Sequence, residues 1–100
     1  MQVEISKTDL ETLRSIFRRF PSIRSVRVFG SRATGSARRT SDIDIAVSAP
    51  DMMDREWVDL REALDAARII YDLDLIRFET LLNDKLRARI DSDGILIYPQ

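Results

Sequence analysis

The sequence predicts an α/β (or α+β) protein in which helices pack on a single mixed β-sheet. Three observations support this fold class: a length of 100 residues, a hydrophobic content of 44%, and an alternation of helix-like and strand-like segments. One hundred residues can form one hydrophobic core. Three glycines and three prolines are scattered along the chain and form no linker. We therefore expect residues 1–100 to form one domain.

The first half of the chain predicts one helix followed by two strands. Thr8 and Glu11 have the spacing of a capping box, which opens a helix that ends before the first proline. Alternating apolar residues predict strands at Ile23–Phe29 and Ile43–Val47. The segment Gly30–Ser41 between them is rich in Gly, Ser, Thr and Arg, which predicts a loop that can hold a short helical turn.

The second half continues the alternation of helices and strands. Asp54 is placed to cap a long helix, and the alternating pattern of Asp72–Phe78 predicts the next strand. A helix over Leu81–Ile90, with Asn83 as a possible cap, leads to a short final strand at Ile95–Tyr98.

Two absent residue types limit the chemistry that is open to the chain. It has no cysteine, which excludes disulfides, thiolate catalysis and cysteine-ligated zinc, and no histidine, the commonest general base. A bound metal would therefore have oxygen ligands, which indicates a hard cation such as Mg²⁺. No apolar run approaches the ~20 residues of a membrane span, and the N-terminus lacks a secretory signal. We therefore expect a cytoplasmic protein without membrane contact.

The formal net charge of −1 conceals a separation of charge along the chain. Eight arginines and no acidic residue lie between Arg14 and Arg39, whereas residues 40–100 contain seven basic and fourteen acidic residues. Arg32, Arg38 and Arg39 fall in the predicted loop after Gly30, where cationic groups could face phosphate. Nucleic-acid binding is the weaker interpretation because the sequence pI is about 5.4.

The candidate site combines a Gly-Ser pair at the end of one strand with two aspartates on the next. Asp42 and Asp44 point to the same face of their strand because side chains alternate with period two. Repulsion between such carboxylates is relieved by a shared divalent cation. Gly30 lets the backbone approach a ligand, and Ser31 can bond phosphate oxygens. Each part alone is common in turns and exposed strands, but the combination indicates phosphoryl or nucleotidyl transfer.

A third carboxylate would complete this site, and the strand at Asp72–Phe78 offers two candidates. Asp72 and Asp74 share one face, so the spacing alone does not decide which of them reaches the metal. An acid beside the metal could also take the proton of an attacking hydroxyl as general base.

Two segments, Val28–Gly35 and Ser41–Val47, together resemble the signature of the minimal nucleotidyltransferase (MNT) family, part of the DNA polymerase β-like nucleotidyltransferase superfamily. The resemblance extends over nearly the whole chain, and its specific part is Gly-Ser-x10-Asp-x-Asp. It implies the nucleotidyltransferase fold, ATP as the substrate and Mg²⁺ as the cofactor.

The resemblance also implies a role for each candidate residue. The family's third acid precedes an apolar pair, a pattern that Asp74 matches better than Asp72. The nucleotide would then be held by Gly30, Ser31 and the cationic Arg32, and the metal by the catalytic acids Asp42, Asp44 and Asp74.

Short MNT domains resemble the antitoxins of HEPN–MNT toxin–antitoxin pairs. In that family the MNT protein transfers AMP from ATP to a tyrosine hydroxyl of the HEPN ribonuclease and silences it. The intact motif favours an active enzyme of this kind, with a HEPN-type toxin as its partner and no nucleic acid bound. Two alternatives stay open: an antitoxin that neutralises its toxin by binding alone, and a nucleotidyltransferase with an RNA or small-molecule acceptor.

Overall fold

The structure is a computed structural model that describes residues 3–35 and 42–100. Its elements in chain order are α1 (Lys7–Phe17), β1 (Ser25–Phe29), α2 (Ser31–Thr34), β2 (Ile43–Ser48), α3 (Asp54–Asp65), β3 (Leu73–Arg77), a 3₁₀ turn (Phe78–Thr80), α4 (Asp84–Asp93) and β4 (Ile95–Tyr98). The predicted order of helices and strands is confirmed, including the short helical turn after Gly30. None of the helices in these two ranges is long and apolar enough to cross a lipid bilayer.

The four strands form one mixed sheet in the order β3-β2-β1-β4. β1 is antiparallel to both β2 and β4, whereas β2 and β3 are parallel and are connected through α3. This topology places the end of β1 beside the beginning of β2 and at the same end of the sheet as the beginning of β3. The predicted fold class, helices on a single mixed sheet, is confirmed.

The sheet separates a large hydrophobic core from a smaller one. On one face, Val26 and Val28 of β1 pack in the large core with residues of α1 and α3, among them Phe17 and Leu60. On the other face, Ile90 of α4 packs with Phe29 and Ala46. Because side chains alternate along β2, Asp44 shares the face of Ala46, on the side with the smaller core.

The predicted capping box at Thr8 and Glu11 is wrong, because α1 begins earlier. Ser6 is the N-cap, and its hydroxyl oxygen accepts a hydrogen bond from the Asp9 amide at 3.1 Å. Thr8 lies inside the helix, where its carbonyl accepts a hydrogen bond from the hydroxyl of Thr12. Ser-x-x-Asp and Thr-x-x-Glu both fit a helix start, and the chain uses the earlier of the two.

The starts of α3 and α4 differ in how well they match the sequence. Asp54 is the first residue of α3 rather than its cap, and Met53 occupies the N-cap position, where its amide donates to the Glu56 carboxylate at 3.2 Å. Asn83 caps α4 as predicted, since its side-chain oxygen accepts a hydrogen bond from the Leu86 amide at 3.1 Å.

Replacing the N-cap residue of α1 should destabilise the protein, whereas replacing the residue of the predicted capping box should not. Ser6→Ala removes the acceptor of the Asp9 amide and should lower the free energy of unfolding by about 1 kcal/mol. Thr8→Ala improves helix propensity inside α1 and should change the free energy of unfolding by no more than a few tenths of a kcal/mol. Urea denaturation of both variants checks this, and a larger loss for Thr8→Ala would contradict the position of the cap.

Candidate active site

Three aspartates lie near one another at the end of the sheet where β2 and β3 begin. The parallel register pairs Asp44 on β2 with Asp74 on β3, and paired residues on neighbouring strands point to the same face. Asp42 lies immediately before β2, and its charge acts on the Asp44 carboxyl. The structure thus brings both aspartates of the Asp-x-Asp motif close to one of the two candidates for the third acid.

The two candidates for the third acid occupy different positions. Asp74 lies within β3 beside Asp44, and its negative charge acts on the Asp44 carboxyl. Asp72 is exposed and lies before β3, and its carbonyl accepts a hydrogen bond from the Ile43 amide at 2.9 Å. The geometry therefore favours Asp74 as a neighbour of Asp44, while its role as a general base stays a prediction.

The pKa of Asp44 is raised above the ordinary range of an aspartate. Burial of the carboxyl is the largest cause, followed by the negative charges of Asp74 and Asp42 and by the hydrogen bond with Asp74. All of these favour the protonated form. A cation beside the cluster would act in the opposite direction, because it stabilises the ionised carboxylate.

Gly30 joins the end of β1 to this group of acids. Its backbone angles, φ 72° and ψ −151°, lie in a region that is essentially restricted to glycine. A Cβ atom added to Gly30 would lie 2.3 Å from Oδ2 of Asp44, so the main chain passes directly against that carboxylate. The Gly-Ser turn is therefore in contact with Asp44, one of the acids predicted to act with it.

Ser31 is the first residue of α2, a single turn of helix. The carbonyl of Gly30 accepts hydrogen bonds from the amides of Ala33 and Thr34 at 3.1 and 3.2 Å, and Gly35 ends the turn with φ 82°. The first amides of a helical turn have no partner within the helix and can donate to a ligand. The local structure is compatible with phosphate binding by Gly30 and Ser31, which stays a prediction.

The side chain of Arg32 is turned into the protein. It is only 7% exposed, and its Nη1 donates to the carbonyl of Glu4 at 2.9 Å. Its guanidinium carbon lies 4.3 Å from the ring centroid of Tyr71. The predicted contact of Arg32 with the nucleotide stays a prediction, and Arg38 and Arg39 lie outside the described residues. The sequence pattern gave no sign of Tyr71, because this contact joins residues that are distant along the chain.

Other arginines of the basic segment make contacts within the protein. Arg14 donates through Nε to the carbonyl of Ile97 at 2.8 Å. Arg18 forms an ion pair with Glu11 at 3.1 Å, and both side chains are well exposed, so that pair contributes little stability. Arg14 and Arg18 therefore have partners within the protein itself.

Asp42, Asp44 and Asp74 provide the kind of ligand that a divalent cation prefers, although their side chains do not surround one point. Within residues 3–35 and 42–100, no group of three acidic side chains is arranged to hold one ion. Carboxylate oxygens are nevertheless the ligands that Mg²⁺ prefers. Burial and the neighbouring negative charges raise the pKa of Asp44, and a bound cation would lower it. Asp42 and Asp74 are exposed, so their side chains have room to change rotamer.

Known proteins include relatives of this chain. The family model described as "Polymerase beta, Nucleotidyltransferase" matches residues 11–100. The "Probable protein adenylyltransferase MntA" of Haemophilus influenzae is 29% identical over 84 residues, which cover 83% of this chain and 74% of that protein.

Solved structures show the same architecture. A crystal structure described as "the toxin-antitoxin with AMP-PNP" superposes with a TM-score of 0.68 and 28% identity, covering 92% of this chain and 74% of the other. A mutant form of "the toxin-antitoxin MntA-HpeT" superposes with a TM-score of 0.64 and 25% identity, covering 96% and 75%. The nucleotidyltransferase fold predicted from the sequence is therefore confirmed.

A side chain at position 30 should be costly and should displace the carboxylate of Asp44. Gly30→Ala forces a non-glycine residue into a glycine-only region and should lower the free energy of unfolding by about 2–3 kcal/mol. Gly35→Ala is the matched control. Its φ is also positive, but the nearest atom to an added Cβ is 3.7 Å away, so about 1 kcal/mol is expected.

Urea denaturation gives both values, and the ¹³C chemical shift of the Asp44 carboxyl should change only in Gly30→Ala. Equal stability losses together with an unchanged Asp44 signal would contradict the close approach of Gly30 and Asp44.

Removing the charge of Asp44 should stabilise the protein at neutral pH. Because the pKa of Asp44 is raised, the folded state binds its proton more tightly than the unfolded chain does, so this group costs stability as pH rises through the folded-state pKa. Asp44→Asn should therefore have a higher Tm than the wild type at pH 7, and the difference should shrink as the pH is lowered toward the ordinary range of an aspartate. Circular dichroism melts between pH 4 and 8 measure the effect, with the exposed Asp72→Asn as the control. A lower Tm for Asp44→Asn than for the wild type at pH 7 would contradict the raised pKa of Asp44.

Proposed function

The chain belongs to the polymerase beta nucleotidyltransferase family, and we propose that it is an antitoxin that transfers AMP from ATP to a tyrosine hydroxyl of a HEPN toxin. One observation carries the chemical part of this proposal: Asp44 lies beside Asp74 and directly against Gly30. The similarity to the "Probable protein adenylyltransferase MntA" supports a protein as the acceptor.

In the proposed reaction, the acceptor oxygen attacks the α-phosphorus of ATP. A bond forms between that oxygen and phosphorus, the bond to the oxygen that bridges to the β-phosphate breaks, and pyrophosphate leaves with its electron pair. The hydroxyl proton passes to a carboxylate oxygen of Asp74. The main chain of Gly30 and the hydroxyl and amide of Ser31 bind the triphosphate and orient it for the attack.

We propose that Asp42, Asp44 and Asp74 hold Mg²⁺. When bound, the ion neutralises charge on the triphosphate and on the leaving pyrophosphate. Its binding would also keep Asp44 ionised in spite of burial and of its acidic neighbours. The fit rests on the kind and number of oxygen ligands that these three residues provide.

The arrangement of the acids favours catalysis over binding alone. Burial and the neighbouring negative charges raise the pKa of Asp44, which costs stability at neutral pH, and such costs are retained where a site needs them. A surface that only binds a toxin does not require Asp44, Asp74 and Gly30 to be in contact. An RNA acceptor is disfavoured because Arg14 and Arg32 of the basic segment are engaged within the protein.

The proposal is tested by incubating the purified chain with labelled ATP, Mg²⁺ and the product of the adjacent gene, which the proposal expects to be the toxin. We expect label on the toxin, lost when EDTA removes the metal and lost when tyrosines of the toxin are replaced by phenylalanine. The double variant Asp42→Ala with Asp44→Ala should transfer nothing, and transfer that survives it would contradict the metal site. A tight complex without label would indicate neutralisation by binding. Labelled RNA would indicate a nucleotidyltransferase with an RNA acceptor.

Two single variants in the same assay separate the candidates for the third acid. Asp74→Asn should reduce kcat by about 100-fold or more, because it removes the proposed proton acceptor, while calorimetry should still show binding of ATP. Asp72→Asn is matched in charge and exposure and should stay within about threefold of the wild type. The reverse pattern would assign the third acid to Asp72.

A further inference from the structure

We propose that Arg32 is a positioning residue that holds the Gly-Ser turn in register with the acids by stacking on Tyr71. This inference rests on the proposed function and adds to it a device that aligns the phosphate-binding turn. The Arg32–Tyr71 clamp, as these two side chains are called below, joins α2 to the segment that leads into β3.

The geometry of the clamp is that of a buried cation on an aromatic ring. The guanidinium carbon of Arg32 lies 4.3 Å from the Tyr71 ring centroid, and Arg32 is 7% exposed. Such contacts are stronger when the cation is removed from water, and the planar guanidinium can stack in a way that a lysine ammonium cannot. Tyr71 is half-buried and packs against the large core, so it offers a fixed surface.

Hydrogen bonds to the N-terminal segment hold the arginine from a second side. Nη1 of Arg32 donates to the carbonyl of Glu4 at 2.9 Å, and the amide of Glu4 donates to the carbonyl of Arg32 at 2.8 Å. The side chain and the main chain of Arg32 are therefore both fixed by the same residue. Arg32 thus connects the N-terminal segment, the turn at Gly30 and the approach to β3.

The clamp connects the two parts of the proposed active site. Arg32 follows the Gly30–Ser31 pair directly. Tyr71 precedes Asp72, and the Asp72 carbonyl accepts a hydrogen bond from the Ile43 amide at 2.9 Å. Movement of the turn relative to β3 would require the stack to open. Transfer reactions are sensitive to such movement, since a displacement of about 1 Å can reduce the rate about 100-fold.

The competing role for Arg32 is direct contact with the triphosphate. That role depends on positive charge, whereas the clamp depends on a planar group that lies on a ring. Arg32→Lys keeps the charge and loses the stacking geometry, and Tyr71→Leu keeps Arg32 and removes the ring. Tyr71→Phe keeps the ring and removes only the hydroxyl. Tyr98→Leu is the matched control, because Tyr98 packs on the Phe17 ring at 5.7 Å and not on Arg32.

Two measurements on the full chain test the clamp. Amide hydrogen exchange across Gly30–Thr34 should become at least about tenfold faster in Tyr71→Leu and Arg32→Lys, and should not change in Tyr71→Phe or Tyr98→Leu. In the transfer assay with the toxin, Tyr71→Leu and Arg32→Lys should lower kcat about 10- to 100-fold, with KM for ATP within about threefold of the wild type. Tyr71→Phe should restore kcat to near the wild-type value.

Unchanged hydrogen exchange in Tyr71→Leu would overturn the clamp. So would an Arg32→Lys variant with wild-type kcat, or one in which only KM for ATP rises, because charge alone would then suffice. If Tyr71→Leu does not fold, Arg32→Lys provides both measurements. If the wild type transfers no AMP, the proposed function fails, while hydrogen exchange still decides whether the clamp fixes the turn.

Discussion

The parallel pairing of β2 with β3 is the constraint on which the site depends. Their register sets Asp44 beside Asp74, and this pairing requires the chain to cross from the end of one strand to the start of the next through α3. The antiparallel pairing of β1 with β2 then brings Gly30 to the same end of the sheet. A shift of one residue between β2 and β3 would turn Asp74 to the opposite face and separate the acids.

The pairing of the strands collects unfavourable interactions around Asp44 at this end of the sheet, and the stability of the rest of the fold offsets them. Burial and two neighbouring charges raise the pKa of Asp44, and Gly30 adopts angles that other residues rarely reach. The large core on the opposite face contains fully buried Val28 and Ile45, each contributing about 1.5–3 kcal/mol by its removal from water. The strands that carry the acids therefore also anchor them, because their alternate side chains belong to this core.

The sequence was sufficient for those features that depend on local periodicity, and insufficient for those that depend on register or on distant contacts. The order of elements follows from the apolar patterns along the chain, and the closeness of Asp42 to Asp44 follows from their spacing of two residues. The choice between Asp72 and Asp74 depends on which residue lies opposite Asp44, which no single strand specifies. The contact of Arg32 with Tyr71 had no local signal either, because it joins residues that are distant along the chain.

Two arginines of the basic segment have partners within the protein. Among the described residues, Arg14 and Arg32 use their guanidinium groups on the carbonyls of Ile97 and Glu4. These cations stabilise the scaffold, whereas the acids gather at the end of the sheet. A triphosphate is itself strongly negative, so binding it beside Asp44 requires balancing charge. We propose that a divalent cation held by the aspartates supplies part of this balancing charge.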